Sequence, residues 1–368
     1  MWRGWWNDGD CDVGLCNEVV ARRNCRGGRY EASIYSKAYT EGSDPFELIK
    51  SARYMAKTLT IKINGWKDFT KVAKLMSGED WLFRGHEDAD WKLDSSLDRD
   101  MATQLGGDES KEYSRLNEKR LREAERFAIE TFRLLAGKEH LFGSDDVDVL
   151  ATMQHYGTKT RLLDFSTSIY VALFFAFEKK ITRKPRSIYA IRYNDIVDLA
   201  KLKAEFKDLV SGSLAGENDG RRMGVSSIAL RKFIFDIARK NIAEGDSHMG
   251  VLPLYTIGTN ERLAAQAGMF LMPRNFAGLS ANLADTLNVS EEELNVPTST
   301  IKDVAHKRFG DSGINASLVR LLFDPSLEKS AWDILDQANI SPRTIFPDLE
   351  GIAKSIRYSN RFLRLGLK

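Results

Sequence analysis

The sequence predicts an α+β fold, a mixed or mostly antiparallel sheet with packed helices, on three observations. Short segments rich in β-branched and aromatic residues are interspersed irregularly with longer amphipathic runs, without the regular strand-helix-strand order of a doubly wound parallel sheet. No Gly-x-Gly-x-x-Gly phosphate loop occurs. No stretch repeats at a fixed period.

Residues 1–54 mix Trp, Gly, Arg and Asp without sustained periodicity and are expected to be a poorly ordered leader. Two readings stay open for them: an optional leader ahead of an internal start at Met55, or a mobile N-terminal arm. Beyond them the alternation over 58–63 predicts a strand, and Asn64-Gly65 turns it into a helix that carries Trp66, Phe69, Val72, Ala73 and Met76 on one face. The run "DWLFRG" from Asp80 reads as a buried strand, followed by a loop through "WKLDSSLDRD". Over 112–136, Leu121, Ala124, Ala128, Phe132 and Leu135 recur at helical spacing, with Gly137 placed to end the helix and the Glu and Arg residues read as a solvated face. "TRLLDFSTSIYVALFFAFE" predicts a strand ending near Phe165, a turn through 166–168, and a helix apolar almost all round, hence buried. Strands are expected at 186–194 and 268–274, with mainly helical insertion material between. The resulting division is an α+β domain over 55–280, with its helical insertion near 195–250, and a mainly helical extension over 281–368. The amphipathic positions Leu327, Ala331, Ile334, Leu335 and Ala338 make that end dock against the core.

Composition is that of an ordinary globular chain, 43% hydrophobic and 29% charged over 368 residues, and the net charge of +2 carries no global excess to attract nucleic acid or a membrane surface. The longest apolar run, 169–177, is about half the ~20 residues a bilayer span requires, so no membrane association is expected. Cys11, Cys16 and Cys25 stand alone at one end, which is no disulfide framework for the body, and no secretory signal precedes them; a cytoplasmic location is expected. A zinc knuckle built on them would lack a nearby fourth ligand, since the first histidine is His86, so no metal is expected.

Two places concentrate chemistry. Arg84 lies inside the apolar strand "WLFRG", where a guanidinium requires either an internal carboxylate such as Asp164 or a ligand phosphate. In the block 154–168, Ser166, Thr167 and Ser168 at the start of a buried helix serve either to cap it or to present its free N–H groups to an anion. His155 and Tyr156 are open between core and site, and no Ser-x-x-Lys or Gly-x-Ser-x-Gly arrangement marks a nucleophile.

"LFRG" followed by "W-x-L", then "QHYGTKTRLLDFSTSIYVALFFAFE" and "RLAAQAGMFLMP", resembles the FRG-domain family, named for the Phe83-Arg84-Gly85 type of motif; "NISPRTIFPDLEGIAK" resembles the tail that often accompanies it. The resemblance spans roughly residues 60–275 and 326–355. A further similarity joins Arg84-Gly85, Ser166-Thr167-Ser168 and Gln266-Ala267-Gly268, in that order, to the Arg-Gly strand, Ser-Thr-Ser corner and late Glu-x-Glu type strand entry of ADP-ribosyltransferases.

This second resemblance implies an enzyme with NAD as substrate and a protein or nucleic-acid acceptor. Arg84, beside Gly85, would hold the pyrophosphate or ribose, Ser166 and Ser168 would order the cleft, and Gln266 would face the nicotinamide ribose. His155, Tyr156, Arg161 and Asp164 complete the binding set. Gln266 departs from the carboxylate of the better-known transferases, and neither Glu261 nor Glu178 follows the pattern. The alternative is a non-enzymatic nucleotide or nucleic-acid recognition module, with Arg84, Arg161, Arg262 and Arg274 on phosphates and Tyr156 or Trp91 stacking on a base.

Overall fold

The computed structural model describes residues 13–16, 19–22, 58–77, 80–106, 113, 117–137, 145–179, 184–213, 228–255, 261–290, 309–310, 313–314 and 316–363. The chain divides into two compact units, Met1–Ala56 and Lys57–Lys368. In the first, β1 (Val13–Cys16) and β2 (Val19–Arg22) pair antiparallel, with Val13 opposite Arg22. The remainder of the expected leader lies outside the described residues.

The second unit is built on a seven-stranded sheet. Its first half comprises β3 (Thr58–Ile63), α1 (Trp66–Met76), β4 (Trp81–His86), α2 (Ser96–Leu105), α3 (Glu118–Leu135), α4 (Asp146–His155), β5 (Leu163–Ser166) and α5 (Ile169–Phe177). β6 (Arg186–Arg192) leads into four helices, α6 (Tyr193–Ile196), α7 (Leu199–Glu205), α8 (Lys207–Ser213) and α9 (Ile228–Glu244). Then come β7 (Val251–Leu254), α10 (Glu261–Ala265), β8 (Gly268–Pro273), α11 (Leu279–Leu287) and a two-residue ribbon of β9 (Phe309–Gly310) with β10 (Gly313–Ile314). The chain closes with β11 (Leu318–Phe323), α12 (Glu328–Gln337), α13 (Pro342–Ile345) and α14 (Leu349–Leu363).

The sheet order is β3-β11-β6-β4-β5-β8-β7. β3 and β11 run parallel and every other neighbouring pair is antiparallel, so the α+β class and the mixed, mostly antiparallel sheet hold. The two-residue period of each strand feeds two cores. Leu82 of β4 and Tyr189 and Ile191 of β6 join α4, α9 and α11 on one face. Trp81, Phe83, Ile188 and Ala190 join α1, α5 and α12 on the other. A helix whose side chains are apolar all round has no solvent face to offer, and α5 accordingly lies against β4 with Val171 through Phe174, Ala176 and Phe177 buried.

Two strands of the seven-stranded sheet went unforeseen. β11 falls in the segment expected to be a mainly helical extension; it inserts between β3 and β6, sending Leu318 to one core and Val319, Leu321 and Phe323 to the other. A short apolar run such as "LVRLLF" carries no periodicity that separates strand from helix. β7 contains Pro253, which a sheet admits because β7 is an edge. No helix among the described residues is long and apolar enough to cross a membrane.

Candidate functional site

β4 and β5 pair at one position, Phe83 opposite Ser166, and part beyond it while β4 continues along β6 as far as His86. A cleft of about 340 Å³ lies where they separate. β4 contributes Arg84, Gly85 and His86 to it, β5 contributes Asp164 and Ser166, and α4 contributes Gln154 and His155. Phe175 and Glu178 come from the end of α5, Arg262 and Gln266 from α10 and its exit, and Phe346 from the turn after α13.

Phe83, Arg84 and Gly85 do three different jobs. Phe83 is buried in the α5 core. Gly85 faces the same helix so closely that a Cβ there would stand 1.9 Å from the Ala172 carbonyl oxygen and 2.6 Å from the Ala176 nitrogen, which is why no side chain fits. Arg84 alternates to the opposite face, where its Nε donates to His86 Nε2 at 3.0 Å and its Nη1 to the Asp164 carbonyl at 2.7 Å. The Asp164 carboxylate is 3.8 Å away, so it supplies attraction more than a hydrogen bond. Among the described residues, Arg84 Nη2 meets no acceptor. Burial, opposed in part by Asp164 and reinforced by Arg99, brings the guanidinium down to about 10.

His86 fixes its own tautomer. A guanidinium Nε can only donate, so His86 Nε2 accepts and its proton sits on Nδ1, 3.2 Å from the Trp91 carbonyl. Burial first, then the cations Arg84, Arg99 and Arg320, lowers this imidazole to about 3 against a weaker opposing pull from the Trp91 hydrogen bond. His155, at the last turn of α4, is also held below its ordinary value, by burial and Arg262, against the opposite pull of Asp348 and Glu350.

The far wall is fastened by charge. Arg262 bridges Asp348 at 2.5 Å and Glu350 at 2.7 Å and lies over the Phe346 ring. Lys354 binds Glu178 at 2.5 Å and Glu350 at 2.9 Å, and its ammonium sits 3.6 Å from the Phe346 centroid. Gln266 Nε2 reaches the Ile345 carbonyl at 3.4 Å. The serine corner is committed to structure: Ser166 Oγ donates to the Gln266 carbonyl and accepts from Ser168 N, while Ser168 Oγ caps α5 by accepting from Val171 N.

Of the residues selected from sequence, Arg84, Gly85, His155, Asp164, Ser166 and Gln266 line the cleft. Ser168 stands behind it as the cap. Tyr156, 74% exposed, is not among the lining residues. Arg161 is elsewhere: it is 2% exposed, forked onto Glu125 with two bonds of 2.9 Å, and bonded to Asn241 and the Pro273 carbonyl. A guanidinium with that many internal acceptors is scaffold. Arg274 is likewise occupied, by Asp246 and Glu205. His86, Gln154, Phe175 and Phe346 are among the cleft residues the sequence reading did not select. His86 was within reach, because Leu82, Arg84 and His86 share a strand face at the two-residue period.

No curated protein and no solved structure matches the chain. Residues 79–184, which hold β4 with its Phe83-Arg84-Gly85 run, the 154–168 block and α5, match the family model of the FRG domain, and in that stretch the chain carries an FRG domain.

Proposed function

We propose that the cleft binds a nucleotide and that its ligand is NAD, handled in the manner of an ADP-ribosyltransferase. The observation that carries this reading is Arg84, a largely desolvated guanidinium lining the cleft with Nη2 lacking an acceptor among the described residues. A planar cation with an open donor matches a phosphate oxygen better than any neutral group. Trp91, 50% exposed beside it, offers a face to a planar ring. The Gln266 carboxamide suits a ribose hydroxyl, and the Glu178 and Asp164 carboxylates supply negative charge on the same cleft.

In the reaction so read, the nicotinamide–ribose C–N bond breaks and its electron pair leaves with nicotinamide. A nucleophile of a protein or nucleic-acid acceptor then bonds to the ribose carbon and gives up a proton. The cysteine placement fits a cytoplasmic site of action, where NAD is available. A second reading, a recognition module without turnover, is favoured by a specific observation: Gln266 is neutral, and Glu178 is already paired with Lys354.

The test is direct titration of the full chain with NAD, together with nicotinamide release from labelled NAD in a lysate that supplies acceptors. Arg84→Ala should weaken NAD binding about ten- to hundredfold. Gln266→Glu should raise release if the neutral side chain limits a competent site. Saturable binding with no release from either protein selects the recognition module, and no binding at all by folded wild type removes the nucleotide reading.

A further inference from the structure

The cleft contains a buried imidazole that nothing above assigns a task. His86 is 3% exposed and lies between two groups of opposite character. On one side its Nε2 accepts from Arg84 Nε at 3.0 Å, and on the other its Nδ1 donates to the Trp91 carbonyl at 3.2 Å. Its ring is set edge-on to Tyr189, centroids 5.2 Å apart, and to Trp91, 6.0 Å apart. The Trp91 carbonyl also receives the Tyr189 hydroxyl at 3.4 Å. The loop before it is pinned by Ala89 N on the Pro185 carbonyl, by Arg320 on the Ala89 carbonyl, and by the Lys184–Asp88 pair. Trp91 therefore combines an anchored main chain with a half-exposed indole.

We propose that His86 is a positioning residue, a neutral imidazole that spaces the Arg84 guanidinium from the Trp91 indole so that the cleft takes a nucleoside phosphate, its anionic group on Arg84 and its base on Trp91. The inference rests on the nucleotide reading above and adds to it what sets the distance between the two contacts. A neutral ring alone meets both demands, since Arg84 Nε can only donate and the Trp91 carbonyl can only accept. A protonated ring would turn Nε2 into a second donor facing Arg84, and the surrounding cations Arg84, Arg99 and Arg320 oppose that proton. A carboxamide reproduces the accept-and-donate pair and an aliphatic side chain does not.

Two measurements on the full chain test this. The first is ¹⁵N NMR of histidine-labelled, ligand-free protein, with the His86 signals identified by their loss in His86→Gln. They should report a neutral ring protonated on Nδ1 from about pH 7.5 to about pH 5. A ring charged at the lower pH, or protonated on Nε2, overturns the proposal whatever the ligand.

The second is titration with NAD and, separately, AMP. His86→Leu should weaken both about tenfold, while His86→Gln stays within about threefold of wild type. Trp91→Ala should weaken both as well, and adding His86→Leu to it should cost little more, since the spacer then has nothing to space. Equal losses for the Leu and Gln variants, in protein with an unchanged thermal transition, overturn the spacer role, as does His86→Leu binding like wild type. Wild type that binds neither probe overturns the nucleotide reading and the ligand class named here, an outcome distinct from tight wild-type binding that His86→Leu leaves untouched.

Discussion

Arg161 and Arg84 are both drawn out of water, and the protein surrounds them in opposite ways. Arg161 meets a carboxylate fork from Glu125, a carboxamide from Asn241, a main-chain carbonyl and the face of Phe276. Arg84 meets a neutral imidazole and a main-chain carbonyl, with its nearest carboxylate at 3.8 Å. Desolvating a charge costs several kcal/mol unless acceptors replace the lost water. At Arg161 the replacement is complete, so the cation holds α3, α9 and the end of β8 together. At Arg84 it is partial, which leaves a donor over for the phosphate of the proposed ligand. How many acceptors surround a buried arginine says more about its task than how deeply it is buried.

The sharpest way to break this contrast is to remove each arginine in turn. Arg161→Ala leaves the Glu125 carboxylate buried without a partner and should cost about 3–5 kcal/mol, read from denaturant unfolding. Arg84→Ala should change stability by less than about 1 kcal/mol, because a partly uncompensated cation is lost along with its two bonds. Similar losses for the two would erase the distinction. Gly85→Ala asks whether the cleft strand depends on the close approach of α5. With a Cβ aimed at the α5 backbone, a loss of about 1–3 kcal/mol is expected in the same measurement, and a neutral outcome would mean that helix and strand separate readily.

A further test concerns the neutral partner of Arg84. The folded-state value for His86 lies below the unfolded one, about 3 against 6.5, so the unfolded chain binds more protons between them. The contribution is complete above the unfolded value and is lost as pH falls through this window, with a slope of at most about 1.4 kcal/mol per pH unit. The stability of wild type relative to His86→Gln should therefore fall as pH drops below about 6.5. Parallel curves from pH 7 down to 4 would show that the ring is charged in the folded protein.

What the sequence disclosed follows from the reach of the physics involved. The strand around Arg84, the buried helix after Ser168 and the capping role of that serine depend on neighbours a few residues apart, and each was legible. Arg161 was misplaced into the site because its partner, Glu125, sits 36 residues upstream on α3. The glutamates of that helix look like a solvated face, and one facing inward breaks no local rule. The serine corner was open between cap and anion site; Ser168 caps α5, and the Ser166 hydroxyl goes to the Gln266 carbonyl, 100 residues away in sequence. His86 could have been read from the two-residue period it shares with Leu82 and Arg84, but Gly85 before it reads as the end of the strand. Phe346 lies between apolar and proline-rich stretches in a tail expected to dock, but the ring's place against Arg262 and Lys354 depends on charges with no common sequence pattern.

β3 is the first strand of the sheet to be synthesised, and its one neighbour there is β11, near the other end of the chain. A ribosome delivering residues in order exposes the β3 edge, with its row of unpaired amides and carbonyls, long before that neighbour exists. β6 waits on the same event for one of its two sides. The sheet is therefore closed last beside one of its edges, a late and long-range pairing of the kind that slows folding and leaves a strand edge open to strangers in the meantime. Most of the chain must be out before the cleft's own strand, β4, belongs to a finished sheet.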